Sequence, residues 1–269
     1  MYIRALEGLG QPFTKAESDC TKERQLKVGN VTVWSLRVHT PFFFKAGMAI
    51  DVDGAPNAYH PRDTGLDDLK HAGFPPKPGS KPWGIVTDNQ GKPVIQGTGD
   101  PFPGFFVSAT SLGDKTRPLT DPRRYVDSPQ IPYIALPLAL ANKLGAKLGD
   151  FAAVINLKNR KLSYAIFADI GPAGKLGEGS IALAQALGHD PFVGGKIRRG
   201  MTGDVIYVVF PGSGNGNPRP IGEIESEGAS LLQRWGGLKR IGACFGTNLQ
   251  AADEASWVDL LRRRPMHAR

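Results

Sequence analysis

The sequence predicts a mainly β protein with a few helices, in which long ordered loops surround a strand-rich core and a helical extension closes the chain. Three observations carry this expectation. Short runs rich in β-branched and aromatic residues, such as VTVWSLRVH, FAAVINL and DVIYVVF, recur between turn-forming residues. The stretch from Asp51 to Asp127 is crowded with Gly, Pro and Asp, residues that punctuate turns. Longer helical patterns come late, in EIESEGASLLQRW and AADEASWVDLLRRR.

Residues 1–40 read as an N-terminal arm with a strand over VTVWSLRVH, where Val31, Val33, Ser35 and Arg37 alternate with Thr32, Trp34, Leu36 and Val38. Residues 41–215 read as the main domain. In its first half, DVDGAPNAYHP, FPPKPGSKPWG and GDPFPGFFVS predict short strands joined by ordered loops. The aromatics among them, Tyr59, Trp83, Phe105, Phe106 and Tyr125, serve either as loop packing or as platforms for sugar rings. The second half predicts a strand at IPYIALP, a short helix or turn at LALANKLG, a strand at FAAVINL and a hairpin through LKNRKLSYAIFAD. Ser180 suits the start and Gly188 the end of a helix over SIALAQALG. The strand DVIYVVF closes the block. Gly149-Asp150 and Gly203-Asp204 each precede a strand, a hint of an internally duplicated barrel. The loop PGSGNGNPRP reads as a flexible exit, because it has no Gly-Lys-Ser/Thr and its proline stands where a phosphate-binding loop would start a helix. Ser213 has no nucleophile-elbow context. Residues 216–269 read as the C-terminal helical extension.

A net charge of +8 suggests an anionic partner such as nucleic acid, peptidoglycan or a membrane surface. The basic residues are dispersed in short clusters without a nucleic-acid-binding motif, so neither nucleic acid nor a membrane is expected as partner. No stretch approaches the roughly 18 apolar residues of a membrane span, and no signal peptide is visible. Cys20 and Cys244 are too far apart in the chain for a local zinc site or a C-x-x-C redox pair, and either join as a disulfide or remain thiols. His39, His60, His71, His189 and His267 lack metal-ligand spacing. No metal and no cofactor are expected, and a monomer is.

The chemistry concentrates in residues 164–188. Tyr164 to Ala168 is apolar on both alternating faces, which predicts a buried strand with Asp169 as the first charge at its exit. Such a position raises a carboxyl pKa. Gly171, Pro172, Gly174, Gly177 and Gly179 allow the following loop to fold back, bringing Glu178 towards Asp169. Two carboxylates across a groove are the equipment of glycoside hydrolysis, one protonating the leaving oxygen and one activating water. On this reading Asp169 is the general acid and Glu178 the base. The competing reading is a solvated turn Asp and a Glu leading into a helix.

With those residues assembled, the chain resembles the fungal-type chitosanases of glycoside hydrolase family seventy-five and their bacterial relatives. The similarity runs over roughly residues 45–214, through AIDVDGAPNAYHP, GLDDLKHAG, DPFPGFFVSATSL, RYVDSPQIPYIALP, GDFAAVINLKN, YAIFADIGP, KLGEGSIALAQALG and VIYVVFPGSG. The resemblance implies that the FADIGP aspartate, Asp169, and the GEGS glutamate, Glu178, are the essential carboxylates of an inverting endo-chitosanase that is secreted. The order of IALP, LG, GD and the Asp-x-Gly-Pro strand end also looks like a six-stranded double-psi β-barrel. For a substrate of protonated glucosamine units, Asp51, Asp53, Tyr59, Tyr125 and Asp127 are the expected groove residues, with acids binding the ammonium groups and rings stacking on sugars. The alternatives are a peptidoglycan glycan-strand hydrolase, acting on cell walls or as an exported toxin, and a non-catalytic expansin-like polysaccharide-binding barrel.

Overall fold

The structure is a computed structural model that describes residues 20–36 and 41–249. The chain enters through an antiparallel hairpin, β1 (Arg24–Val28) and β2 (Val31–Ser35), turned at Gly29-Asn30 with Gly29 in the left-handed region. A Gly-Asn pair is one of the two-residue links that match strand twist. The arm is thus part of the sheet, since β2 pairs with β3 (Phe42–Asp51).

Six strands close a barrel of mixed direction. The ring runs from β3 to β10 (Met201–Val209), then β5 (Phe151–Asn156), β6 (Lys161–Gly171), β4 (Tyr133–Pro137) and β7 (Glu178–Ser180), which returns to β3, while β8 (Phe192–Val193) and β9 (Lys196–Ile197) pair as a separate hairpin. Two contacts, β3 with β7 and β4 with β6, are parallel and the rest antiparallel. Closure removes exposed edges. Alternation fills the interior with Phe42, Phe44, Met48, Ile134, Leu136, Val154, Phe167, Val205, Tyr207 and Val209, and the helices α1 (Leu138–Leu144) and α2 (Ile181–Ala186) add Leu140, Leu144 and Leu183. Ser180 accepts from the Leu183 N–H as the cap of α2.

A second cluster lies on the opposite face of the same strands, where Phe43, Ile155, Tyr164, Ile166 and Val208 meet α3 (Ile221–Trp235) and α4 (Gly237–Phe245). The approach is close: a Cβ on Gly228 of α3 would lie 2.7 Å from the Tyr164 side chain. Cys244 of α4 is joined to Cys20 by a disulfide, which settles the choice left open by the sequence and clamps the N-terminal arm to the C-terminal helices. The pattern AADEASWVDLLRRR lies outside the described residues.

Between Val52 and Val126 the expected short strands are instead isolated bridges, such as Ile85–Ser108 and Ile95–Phe106, with short 3₁₀ turns. Frequent prolines and glycines stop ladders from extending. A third cluster of Val52, Tyr59, Ile85, Phe106 and Ile181 anchors these loops to the barrel. Two further expectations change. Gly203-Asp204 falls inside β10 at a register shift, with Asp204 exposed to Lys45, whereas buried Asp150 accepts three backbone N–H groups, so the two Gly-Asp pairs are not equivalent. The loop after Phe210 is tied down, because the Gly212 and Gly214 N–H groups donate to Asp150 and Phe151 N–H donates to Ser213.

Candidate active site

The site grows out of a bulge. Between Phe167 and Asp169 β6 advances two residues while β4 advances one, from Ile134 to Ala135. Phe167 and Ile134 both belong to the barrel interior, and strict alternation would send Asp169 there as well. The extra residue, Ala168, turns Asp169 onto the other face, in register with Ala135. Ala135 is also in register with Glu178 of β7. In-register neighbours share a face, so Asp169 and Glu178 flank the small Ala135 side chain. Two strand spacings separate their backbones by about 10 Å. Glu178 is therefore held in a strand bonded on both sides, where the sequence suggested a flexible loop.

The neighbouring strand adds a third acid. Ala49 of β3 pairs with Glu178, and Asp51, two residues on, pairs with Ser180 on the same face. The turn after β3 then brings in Asp53, whose N–H donates to Asp51 Oδ1 at 2.9 Å. Tyr59 donates its hydroxyl to Asp53 Oδ1 at 2.7 Å, and Tyr133 donates to the Asp53 carbonyl at 2.9 Å. Two glycines leave room for the acids. A Cβ on Gly84 would stand 2.6 Å from Asp53 Oδ1, and one on Gly171 would stand 2.8 Å from Glu178 Oε2.

Hydrogen bonding separates the two central carboxylates. Asp169 Oδ1 accepts from Ser111 N–H at 2.8 Å, Ser111 Oγ–H at 2.6 Å and Ile170 N–H at 2.8 Å. Among the described residues, Glu178 has no hydrogen-bond donor to its carboxylate. Burial pushes the Glu178 carboxyl up to about 7, with the Asp169 charge adding to the effect and Lys175 opposing it. Burial also raises Asp169, but its three donors favour the ionised form and pull it back. Asp51 is driven well above the ordinary carboxylate range by burial and then by the charges of Asp53, Asp169 and Glu178. Asp53 is raised in the same way, with the Tyr59 hydrogen bond opposing. The donor that sets Asp169 apart from Glu178 is Ser111, which the chain brings in from 58 residues away.

Of the expected groove residues, the structure gathers Asp51, Asp53 and Tyr59 around Asp169 and Glu178. Tyr125 and Asp127 have local hydrogen-bond partners. The Tyr125 hydroxyl donates to the Leu119 carbonyl within its own loop. Asp127 Oδ2 accepts from Gln130 and Oδ1 is buried without a partner, while burial raises its pKa to about 6. Sequence reasoning did not single out Ser111, Ala135, Tyr133 or Gly84, because each acts through register or through space that only the fold defines, and it read Gly171 only as a residue that lets the loop fold back.

One oxygen each of Asp51, Asp53 and Asp169 lie within 4.8 Å of one another, a spacing suited to holding a cationic group. Asp67, Asp68 and His71 form a second such group, but Lys196 and Arg198 already pair with Asp68. No described helix is long and apolar enough to cross a membrane.

Residues 123–233 match the family described as fungal chitosanase of glycosyl hydrolase group 75. The matched stretch contains Ala135, Asp169 and Glu178, whereas Asp51, Asp53, Tyr59 and Ser111 lie before it. No curated protein matches the chain.

Proposed function

We propose that this chain, a glycosidase by virtue of its glycosyl hydrolase group 75 domain over residues 123–233, is an inverting endo-chitosanase that cleaves β-1,4 links between glucosamine units with Glu178 as general acid and Asp169 as general base. The observation that carries this reading is the pairing of Asp169 and Glu178 on either side of Ala135. Inversion follows the family resemblance and requires room for a water between the two carboxyl groups.

The roles follow from the surroundings of each acid. Glu178, with a pKa near 7, keeps its proton through mildly acidic pH and delivers it to the glycosidic oxygen as the bond from C1 to that oxygen breaks. Asp169, stabilised as a carboxylate by Ser111 and Ile170, accepts a proton from the water whose oxygen bonds to C1 from the opposite side. Replacing Asp169 by Ala should leave a variant whose turnover azide restores, while the Glu178→Ala variant on chitosan should not respond.

The wider acidic cluster supports a cationic sugar. Asp51 and Asp53 offer charge-assisted hydrogen bonds to a glucosamine ammonium, and binding that ammonium offsets the repulsion that raises their pKa values. The net charge of +8 favours the anionic cell-wall alternative instead. Exposed charges beyond about 8–10 Å are largely screened at physiological salt, so the acids at the site govern selection. The Cys20–Cys244 disulfide fits secretion into an oxidising compartment. Incubation with chitosan, chitin and peptidoglycan, followed by mass spectrometry of the fragments, tests the substrate. Glucosamine oligomers from chitosan are expected, and muropeptide glycan fragments alone would replace this reading with the cell-wall one.

A further inference from the structure

We propose that Trp83 is a stacking platform that seats a sugar ring of the polysaccharide beside the carboxylate cluster, an inference that rests on the glycosidase reading above. At 72% exposure Trp83 is the most open of the large apolar side chains described, yet it is held in place. Its indole Nε1–H donates to the His71 carbonyl at 2.7 Å, and its backbone N–H donates to the Ala72 carbonyl. The six-membered ring lies against Gly73, where a Cβ would stand 2.4 Å from Cε3 and 2.5 Å from Cζ3. Gly73 adopts φ +70°, so a side chain is disfavoured there on both counts. One ring face is thereby seated on backbone and the other is left to solvent.

An exposed aromatic residue standing alone is ordinary. What distinguishes Trp83 is its orientation and its connection to the acids. The next residue, Gly84, is the one whose missing Cβ leaves room for Asp53 Oδ1. Gly84 is itself fixed, because its carbonyl accepts from Ser108 Oγ, which in turn accepts from Gly54 N–H in the turn after Asp53. Consecutive Cα atoms are about 3.8 Å apart, so the backbone of Trp83 stands one residue step from the wall of the cluster. A rigid aromatic face costs little ordering when a ligand arrives, and tryptophan is the best of the aromatic faces for a nearby ammonium. The ligand that suits it is a pyranose ring carrying an amino group. Trp83 acts here as a binding and positioning residue.

The test is electrophoretic mobility in native gels cast with chitosan, chitin or peptidoglycan, using Trp83→Ala, Trp83→Leu and Trp83→Phe on a Glu178→Gln background that does not consume the polymer. Chitosan should retard the parent and the Phe variant, while the Ala and Leu variants bind about tenfold more weakly. In the enzyme with Glu178 intact, Trp83→Ala should raise KM on chitosan far more than it lowers kcat. Unchanged retardation in the Ala and Leu variants, alongside a parent that binds, overturns the platform and leaves the proposed function standing. Loss of retardation in those variants, when the intact enzyme cleaves none of the three polymers, upholds the platform and overturns the proposed function. Should Trp83→Ala melt early, the contrast between Leu and Phe decides, since both are apolar and only one keeps a ring.

Discussion

Ser111 gives Asp169 hydrogen bonds that favour its ionised form. Its N–H and Oγ–H both reach Asp169 Oδ1, and nothing comparable reaches Glu178 among the described residues. The base must be ionised and the acid protonated, so kcat/KM should rise as Asp169 loses its proton and fall as pH climbs through about 7, where Glu178 loses its own. Ser111→Ala removes the 2.6 Å donor while leaving the backbone N–H. It should move the acidic limb of the profile upward by on the order of one pH unit and leave the limb near 7 in place. Movement of the basic limb alone would exchange the two roles. Asp169 and Glu178 themselves were legible in the sequence because a charge at the end of an apolar run and another in a glycine-rich loop stand out. The hydrogen bonds that distinguish them were not, because they come from a serine in the turn-rich stretch that carries no local signal. Tyr125 was legible only as an aromatic in that stretch, and its hydroxyl closes its own loop by donating to the Leu119 carbonyl.

The bulge in β6 and the short strand β7 are the elements that build the site. One extra residue at Ala168 takes Asp169 out of the barrel interior, and the pairing of β7 with both β3 and β4 fixes Glu178. Gly171, on the same strand as Asp169, keeps the space beside Glu178 open. Gly171→Ala would place a Cβ 2.8 Å from Glu178 Oε2, which displaces the carboxylate more readily than the backbone. Turnover should fall roughly 10–100-fold from misplacement of that acid, with a melting temperature close to wild type; unaltered kcat would show that Glu178 tolerates displacement. The long strands were legible from β-branched alternation, as in FAAVINL and DVIYVVF. A three-residue strand such as β7 has too little sequence to show a period, and a bulge shows only as a register shift between partners distant in the chain.

At the scale of the whole molecule, a chain of net charge +8 folds so that Asp51, Asp53, Asp169 and Glu178 converge on one face of a closed six-strand barrel. Composition gave no warning of this, because net charge says nothing of placement. The N-terminal arm is clamped to the C-terminal helices by Cys20–Cys244, which closes a loop with a sequence separation of 224 residues. Reduction should cost roughly 2–5 kcal/mol of stability and lower the melting temperature by about 5–15 °C; a melt indifferent to reductant would mean that the bond is not formed in solution. The spacing of two cysteines could not reveal their pairing, since geometry decides it. The central claim is that Asp169 and Glu178 act as an inverting pair on a glucosamine polymer. Proton NMR of the first products from soluble chitosan, recorded for the wild type, Asp169→Asn and Glu178→Gln, tests it most directly. An inverting pair gives initial α-anomeric glucosamine ends from the wild type and a loss of at least about 10²-fold in rate for each variant, whereas initial β-anomers, or near wild-type turnover by either variant, would rule it out.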